Sequence, residues 1–359
     1  MPSASHPATL NRFLATACAL LIGYACLHPL TGWQRTGLPL FDYLYAPWPR
    51  YYRTEDIVLN VLGYVPLGFL LVPALPAGLG RPAAALLATV LAAALSFSIE
   101  TTQNFLPTRV ASNVDLGCNV LGALIGATGG ALLGRSLFGS GGGLHRLRDE
   151  CVIPGRAGDI GVILLGLWLL AQLTPETFLF GSGDLRRQLG LPTPMSFDPE
   201  RFMRLEAVLV AASLVAAGLL GRCLLRGQNP LPVLLLIALA IAAKSLATSA
   251  FLAPGGPLIW LTPGTRIGLM AGLLLLAVAL LLTRIQQHGL AGLALLLATT
   301  LANLIPENPY LTAGLHRLEY GNLLNFHGLT RFIADLWPFL ALAWLSALGL
   351  WRGEHLDLR

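Results

Sequence analysis

The strongest constraint on this chain is a series of about ten apolar runs, each approaching the ~20 residues that a helix needs to cross a bilayer. Hydrophobic residues make up 55% of the sequence and charged residues only 11%, a balance typical of a membrane protein. A helix satisfies its own backbone hydrogen bonds inside lipid, so each run predicts a transmembrane helix. The sequence therefore predicts an all-α fold, a polytopic transmembrane helical bundle with spans near 13–30, 57–75, 83–101, 114–134, 158–174, 205–225, 231–252, 266–284, 289–305 and 331–351.

The first run follows a single Arg12 and leads into YACLHPLTGW, which lacks the small-x-small cleavage pattern of a secretory signal. We therefore interpret it as a retained anchor. The loop GRSLFGSGGGLHRLRDECVIPGR carries four arginines and favours a cytoplasmic N-terminus, although arginine divides almost evenly between the two sides over all loops. The same glycine-rich loop predicts a boundary between a four-helix membrane unit, residues 10–135, and a six-helix region, residues 158–351.

Neither the cysteines nor the histidines show the spacing of a metal site. Five cysteines are scattered without a CxxC pair or a disulfide framework, and no HExxH, GxSxG or Walker motif occurs. The sequence thus predicts no metal, no cofactor and no soluble catalytic domain. The formal net charge of +5 comes almost wholly from arginines dispersed over many loops, so we expect no nucleic-acid partner.

Two segments near the N-terminus repeat the same polar pattern. RYYRTEDIVLNVLG and RVASNVDLGCNVLG both read Arg, five residues, Asp, three residues and then Asn-Val-Leu-Gly. The alignment pairs Arg50 with Arg109, Asp56 with Asp115, Asn60 with Asn119, and Gly63 with Gly122. Each copy corresponds to one helical hairpin, so the second copy enters the membrane from the same side as the first. The N-terminal unit is therefore predicted to be two repeated hairpins whose polar groups meet at one face.

Small residues on the third and fourth spans suggest where these helices pack. Positions at successive steps of four on the third span form a stripe of small residues that ends in a carboxylate, Ala84, Ala88, Ala92, Ser96 and Glu100. Gln103 follows three residues later, and Gly122, Gly126 and Gly130 form a similar stripe on the fourth span. Small residues allow close approach in lipid, so the third span is expected to face other helices and to touch the fourth.

Structural roles are open for each of these polar residues. Asp56 and Asp115 could be N-caps, since Asp at a helix start suits the helix dipole. Asn60 and Asn119 could hydrogen-bond across helices as packing contacts. Glu100 could form a purely structural ion pair with Arg50 or Arg109, because a carboxylate in or near the membrane needs a partner.

The segment SIETTQNFLPTRVASNVDLGCNVLGALIG, with DIVLNVLGYVPLGFLL upstream, resembles the VanZ-like family over about residues 10–135. The matching positions are Glu100, Gln103, Pro107, Arg109, Ser112, Asp115, Asn119 and Gly122, with Asn60, Gly63, Pro66 and Gly68 in the earlier block. The resemblance implies a multi-pass protein of the bacterial inner (plasma) membrane with a role in the cell envelope. The family is linked to resistance to the glycopeptide teicoplanin.

These residues suggest a site that binds or modifies an amphipathic or lipid-linked envelope precursor at the outer face. The candidate proton-transfer residues are Glu100, Asp115 and Asp56. The candidate substrate-binding residues are Arg50, Arg109, Gln103, Ser112, Asn60 and Asn119, with the two arginines suited to phosphate. The expected partner is a membrane lipid or a lipid-linked precursor. Alternative functions are a transporter or flippase, in which polar residues of both halves form a path, and a non-catalytic membrane scaffold.

The second half of the chain contains its only lysine, Lys244, well inside an apolar run. A lysine at this depth is costly unless it is paired or hydrated, so we expect it to face protein or a water-filled cavity. Its candidate partners are Glu206 and Asp335. The alternative is a lysine whose side chain snorkels toward the interface.

Overall fold

A computed structural model describes residues 7–28, 30–35, 37, 39–48, 54–76, 78–139, 142–186, 188–251, 256–307 and 322–356. These residues form twelve α-helices and no β-strand. In chain order the helices are α1 Pro7–Leu27, α2 Asp42–Tyr45, α3 Thr54–Ala74, α4 Arg81–Gln103, α5 Asn113–Phe138, α6 Gly143–Cys151, α7 Gly155–Ala171, α8 Pro199–Leu224, α9 Leu231–Phe251, α10 Pro263–Ala279, α11 Arg284–Leu304 and α12 Asn322–Leu356.

Every predicted apolar run coincides with one of these helices. Eight helices in the described part of the chain are long and apolar enough to cross a membrane: α1, α3, α4, α5, α8, α9, α11 and α12. The runs near 158–174 and 266–284 fall in the 17-residue helices α7 and α10. The protein is thus a multi-pass membrane protein with an all-helical bundle, as the sequence predicts.

The chain divides into two compact units. Unit 1 comprises Met1–Glu150 with Gly321–Leu329, and unit 2 comprises Cys151–Tyr320 with Thr330–Arg359. The first residues of α12 therefore group with the N-terminal helices, a feature that nothing in the sequence indicates.

In unit 1, α3 and α5 pack with their backbones in direct contact. A Cβ atom at Gly122 or Gly126 would overlap the carbonyl oxygen of Val61 or Val65 on α3, so only glycine fits. Gly130 continues this contact, with an added Cβ 2.6 Å from the carbonyl oxygen of Phe69. Such close approach is how membrane helices gain packing energy without a hydrophobic driving force.

The contact between the third and fourth spans that the sequence predicts is confirmed, but it does not involve the glycine stripe. The glycine stripe faces α3. Helix α4 does contact α5, and its stripe from Ala84 to Glu100 is buried as predicted. The two helices meet through the Asn119 side of α5, since the glycine side is filled by the α3 backbone.

Unit 2 is built around α8, which is long enough to span a membrane and is buried on all sides from Leu209 to Leu224. It packs against α7, α9, α10 and α11. A helix that is hydrophobic all round belongs inside a bundle. Gly268 and Gly272 of α10 allow this packing, because added Cβ atoms would crowd Ala207 and Ala211 of α8.

A non-helical segment between α7 and α8, residues 172–186, is largely buried within unit 2 and is called the buried loop below. Side chains satisfy much of its backbone, because Gln172 Oε1 accepts from Phe180 N at 3.0 Å and Asn303 bonds both Gly183 O and Leu185 N. Irregular backbone is tolerated at membrane depth only when it is satisfied in this way.

Proline in α12 provides a further partner for the buried loop. Pro338 has no N–H, so the carbonyl oxygen of Ala334 has no helical donor four residues later. Gly183 N donates to that oxygen at 2.8 Å. Gly183 has φ of +92°, and an added Cβ would lie 2.6 Å from Pro338 Cγ, so the position requires glycine.

Candidate functional site

Three carboxylates gather at one end of unit 1, where α3 and α5 begin and α4 ends. Asp115 Oδ1 accepts a hydrogen bond of 2.8 Å from Asn60 Nδ2, which links α5 to α3. The Asp115 carboxylate also interacts electrostatically with Asp56 and with Glu100. The structure therefore brings together the three acids that the sequence identified as candidates for proton transfer.

Neither aspartate is an N-cap. Helix α3 begins at Thr54 and α5 begins at Asn113, so Asp56 and Asp115 each occupy the third helical position. Ser112 caps α5, because its Oγ accepts from Asp115 N at 3.3 Å. The N-cap alternative for the two aspartates is wrong, although an acid in the first turn still benefits from the helix dipole.

Glu100 is buried beneath the turn that precedes α5. Its side chain is 3% exposed, and Oε2 accepts from Ser112 N at 3.0 Å. Among the described residues, no ion pair joins Glu100 to Arg109, so that version of the structural ion pair is wrong. Arg50, the other partner considered, lies outside the described residues.

Arg109 is held at the end of α1. Its guanidinium donates through Nε to the carbonyl oxygen of His28 at 2.9 Å, and Nη2 donates to the same oxygen. Partial burial lowers the pKa of Arg109, but the ordinary value lies so far above neutrality that the side chain stays a cation. Gln103 acts similarly, since its Nε2 donates to Cys26 O at 3.0 Å. Both predicted binding residues thus satisfy carbonyl groups at the C-terminus of α1.

A second polar layer lies one helical turn below the carboxylates. Asn119 follows Asp115 by four residues, Ser96 precedes Glu100 by four, and Asn119 Nδ2 donates to Ser96 Oγ at 3.0 Å. Within the described part of the chain, the buried Asn119 Oδ1 has no hydrogen-bond partner, and the Tyr64 hydroxyl lies near Ser96. Sequence reasoning missed Tyr64, although it lies four residues after Asn60 and therefore on the same helical face.

Arg109 lines an open basin with a volume of about 550 Å³. The other lining residues are mostly apolar or aromatic and come from the segment after α1 and the turn before α5, namely Pro39, Asp42, Tyr43, Tyr45, Ala46, Pro47, Asn104, Val110 and Ala111. Glu100, Asp115 and Asp56 do not line it. Arg109 is thus on the wall of the basin, whereas Glu100, Asp115 and Asp56 are separated from the basin by the 109–112 turn.

His28 is a second residue of this region that sequence reasoning missed. Its Nδ1 lies 3.2 Å from the hydroxyl of Tyr24, and its ring occupies the space that a side chain at Gly328 would fill. Burial lowers the pKa of His28, with further contributions from Arg109 and His327. The spacing of residues along the sequence gives no signal for the contact between His28 and Gly328, because the two residues are far apart in the chain.

In unit 2, Lys244 is fully buried and has a complete set of acceptors. Its Nζ donates to Thr174 O at 2.7 Å, to Thr177 O at 2.5 Å and to Thr177 Oγ1 at 3.2 Å, all in the buried loop. The prediction that it faces protein is confirmed. Glu206 and Asp335 as partners are wrong, and so is snorkelling, because two backbone carbonyls and one threonine hydroxyl accept from the lysine.

The two acids considered as partners of Lys244 have other contacts. Glu206 accepts from the hydroxyls of Thr262 at 2.7 Å and Thr265 at 3.1 Å, at the start of α10. Asp335 Oδ2 accepts from Gln188 Nε2 at 3.1 Å. Asp335 also lines a small cavity of about 60 Å³ beside the buried loop, with Glu176, Asp184, Glu307 and Arg331 among its other charged residues.

Residues 13–134 match the VanZ/LLP1 family model. No curated protein and no solved structure matches the chain. The matched region contains α3, α4 and most of α1 and α5, together with every site residue named from the sequence. The resemblance read from those residues is confirmed, because the N-terminal part of this multi-pass membrane protein matches the VanZ/LLP1 family model over residues 13–134.

Proposed function

We propose that unit 1 binds the anionic headgroup of an amphipathic envelope molecule, a lipid or a lipid-linked precursor, in the basin lined by Arg109. The proposal assumes the inner membrane of a bacterium and the envelope role that the family resemblance implies. The observation that carries it is a guanidinium fixed by the His28 carbonyl on the wall of an open basin, at the end of membrane-spanning helices.

The chemistry of the lining fits such a headgroup. A guanidinium is suited to phosphate because its planar N–H groups match phosphate oxygens, and charge-assisted hydrogen bonds are the strong ones. Tyr43, Tyr45 and Asn104 add hydrogen-bonding groups and aromatic surface. Asp42 is the one acid among the described residues of the lining.

The carboxylates of Glu100 and Asp115 support this binding site in the proposal. Glu100 fixes the turn that carries Arg109 by accepting from Ser112 N, and Asp115 joins α5 to α3 through Asn60. A role of Glu100, Asp115 or Asp56 in proton transfer requires ligand to reach behind the 109–112 turn. Binding is therefore the function that we propose, and modification of the ligand is a hypothesis that Glu100→Gln tests.

The test is a titration of phosphatidylglycerol into the purified full-length protein in phosphatidylcholine nanodiscs, with the ligand-dependent rise in melting temperature as the readout. Arg109→Gln removes a charge-assisted hydrogen bond that contributes roughly 1.5–3 kcal/mol, so we expect affinity to fall about tenfold or more. Arg81→Gln is the matched control, because Arg81 is an exposed arginine at the other end of α4. Equal losses in both variants, or no loss in a folded Arg109→Gln protein, would overturn the proposal.

Arg109 also anchors α1, so a second variant guards against a folding defect. Tyr45 lines the basin, is 87% exposed and can be replaced without disturbing the core. We expect Tyr45→Ala to fold normally and to weaken phosphatidylglycerol binding by a few-fold. Undiminished binding in both Tyr45→Ala and Arg109→Gln would exclude the basin as the headgroup site.

A further inference from the structure

The segment after α1 exposes a dense set of large apolar side chains. The described residues of 30–48 are called the aromatic collar, and they contain only two charged residues, Arg35 and Asp42. Tyr45 is 87% exposed and Trp48 is 78% exposed. Leu30, Trp33, Leu40 and Phe41 are also exposed. This is an unusual surface to present to water, because tryptophan, phenylalanine and leucine are normally covered.

Four hydrogen bonds fix the aromatic collar to the end of α4, the turn that follows it and the first residue of α5. The backbone of the collar takes part in three of these hydrogen bonds and the Tyr43 hydroxyl in the fourth. The bonds are Gln34 N to Phe105 O at 2.9 Å, Asn104 Nδ2 to Leu40 O at 3.0 Å, Asn113 Nδ2 to Ala46 O at 2.7 Å, and Tyr43 hydroxyl to Thr101 Oγ1 at 3.1 Å. The outward aromatic side chains are therefore held in place.

The collar is continuous with the surface that α4 presents to lipid. Phe41 stacks on Phe97 of α4, with ring centroids 5.8 Å apart and an interplanar angle of 13°. Phe97 lies six residues before the end of the α4 span, which is about 9 Å along a helix. Phe97, Val90 and Leu86 are all exposed on this span, so the collar extends the lipid-facing surface of α4 toward the membrane boundary.

We propose that the aromatic collar lies in the interfacial layer of the bilayer, with Trp33, Phe41, Tyr45 and Trp48 in contact with lipid. Tryptophan and tyrosine concentrate at this depth because one part of the ring is apolar and the other part forms hydrogen bonds. Tyr43 and Tyr45 belong both to the collar and to the lining of the Arg109 basin. The basin then opens toward lipid, and its ligand is an anionic phospholipid that enters sideways from the bilayer. This last step rests on the proposed function.

The position of the collar is tested without any ligand. A fluorescent NBD label is placed at Trp48→Cys in full-length protein whose five native cysteines have been replaced, and the protein is reconstituted in phosphatidylcholine nanodiscs. Arg146→Cys is the matched control, because Arg146 is exposed in the charged helix α6 of the same unit. We expect lipid labelled with a doxyl group near the headgroup to quench position 48 at least twofold more than position 146. Iodide in the water should quench them in the reverse order.

Equal iodide quenching at positions 48 and 146, with no quenching of position 48 by doxyl lipid, would overturn the proposal that the collar lies in the interfacial layer. If the Trp48→Cys protein fails to fold, the label at Tyr45→Cys provides the same measurement. Neither result depends on Arg109, so failure of the collar is distinguishable from failure of the proposed function.

The route is tested by comparing a lipid with its water-soluble headgroup. We expect phosphatidylglycerol to bind wild-type protein at least tenfold more tightly than glycerol phosphate, and Trp48→Ser to weaken only the lipid. Equal affinity for the two compounds means that the basin opens to water and would overturn the sideways route.

Discussion

Two sets of ionisable residues, Lys244 and Glu206 in unit 2 and the three clustered acids in unit 1, differ in their surroundings. In unit 2, all three N–H groups of Lys244 have acceptors, and both oxygens of Glu206 accept from threonine hydroxyls. In unit 1, Asp56, Glu100 and Asp115 gather as like charges behind a basin that presents a cation. An ionisable residue inside a membrane protein is a candidate for function by default. The contrast shows that position inside a membrane protein is not enough to assign a function to an ionisable residue. A charge whose hydrogen-bonding groups all have partners within the protein has none left for a ligand.

The largest expected effect is in unit 2. Lys244→Met keeps the length of the side chain but leaves the Thr177 carbonyl without its donor and the Thr174 carbonyl with only the Thr177 hydroxyl, and each buried carbonyl that loses a donor costs roughly 1–3 kcal/mol. We expect little folded protein by size-exclusion chromatography after detergent extraction. Leu246→Met, at an exposed position on the same helix, should be neutral. A Lys244→Met protein that extracts normally but loses function would reverse the assignment of Lys244 as structural.

The next effect concerns the backbone contact in unit 1. Gly126→Ala forces a Cβ into the carbonyl of Val65, and overpacking of this kind costs about 1–3 kcal/mol. Gly117→Ala on the same helix adds a Cβ to open space and should leave the melting temperature unchanged or slightly higher. Equal melting temperatures for the two variants would show that α3 and α5 pack less closely than described.

A matched pair of carboxylates sharpens the comparison between the units. Glu206→Gln replaces one of two engaged acceptors, so we expect it to cost about 1–2 kcal/mol. Glu100→Gln retains an oxygen for Ser112 N and removes one of three neighbouring negative charges, so we expect a change below about 1 kcal/mol. Chemical denaturation of both purified variants measures the difference. A larger loss at Glu100 than at Glu206 would make Glu100 the structural residue.

The Glu100→Gln protein also separates binding from chemistry. Glutamine keeps the shape of the side chain but cannot exchange a proton. We expect phosphatidylglycerol binding within a few-fold of wild type, and, under the hypothesis that the ligand is also modified, loss of any effect of the protein on host sensitivity to envelope-directed antibiotics. Retention of both properties would exclude proton transfer by Glu100.

The smallest effect is a pH dependence in unit 1. The pKa of His28 is lowered in the folded protein, chiefly by burial and then by Arg109 and His327, so the folded state binds a proton less readily than the unfolded state. The stability contributed by neutral His28 is therefore complete above the unfolded pKa of about 6.5 and is lost as pH falls through the lower folded pKa. We expect the melting temperature to decrease between pH 7.5 and 5.5 and the decrease to be smaller in His28→Gln. Identical slopes would exclude His28 as its source.

Much of the fold follows from the sequence because each span carries its own signal. An apolar run of sufficient length has no alternative to a helix in lipid, and α3, α4 and α5 begin and end within a few residues of the predicted positions. The repeat pattern also places Asp56 and Asp115 at equivalent helix starts. The structural equivalence of the two repeats stays a prediction, since the paired residues differ in their contacts. Asn60 bonds Asp115, whereas Asn119 bonds Ser96.

The partners of these residues could not be predicted, because periodicity identifies a face and not what covers it. Lys244 finds its acceptors in non-helical backbone, for which the sequence offers no pattern. For the same reason the spacing of the glycine stripe of α5 could not identify α3 as the helix that it packs against. The aromatic collar carries no motif, and its relation to Arg109 appears only when the 104–113 turn folds against it.

The freed carbonyl of Ala334 has a consequence for biogenesis. The buried loop leaves the ribosome before α9, α11 and α12, which carry Lys244, Asn303 and Ala334, the groups that satisfy its backbone. Non-helical backbone without partners cannot stay in hydrocarbon, so the loop remains in water or at the interface until these later helices have inserted. The buried loop therefore enters the bundle last although it is synthesised before these helices. Chains cut short before Ala334 should therefore leave the loop exposed to proteases, whereas completed chains should protect it.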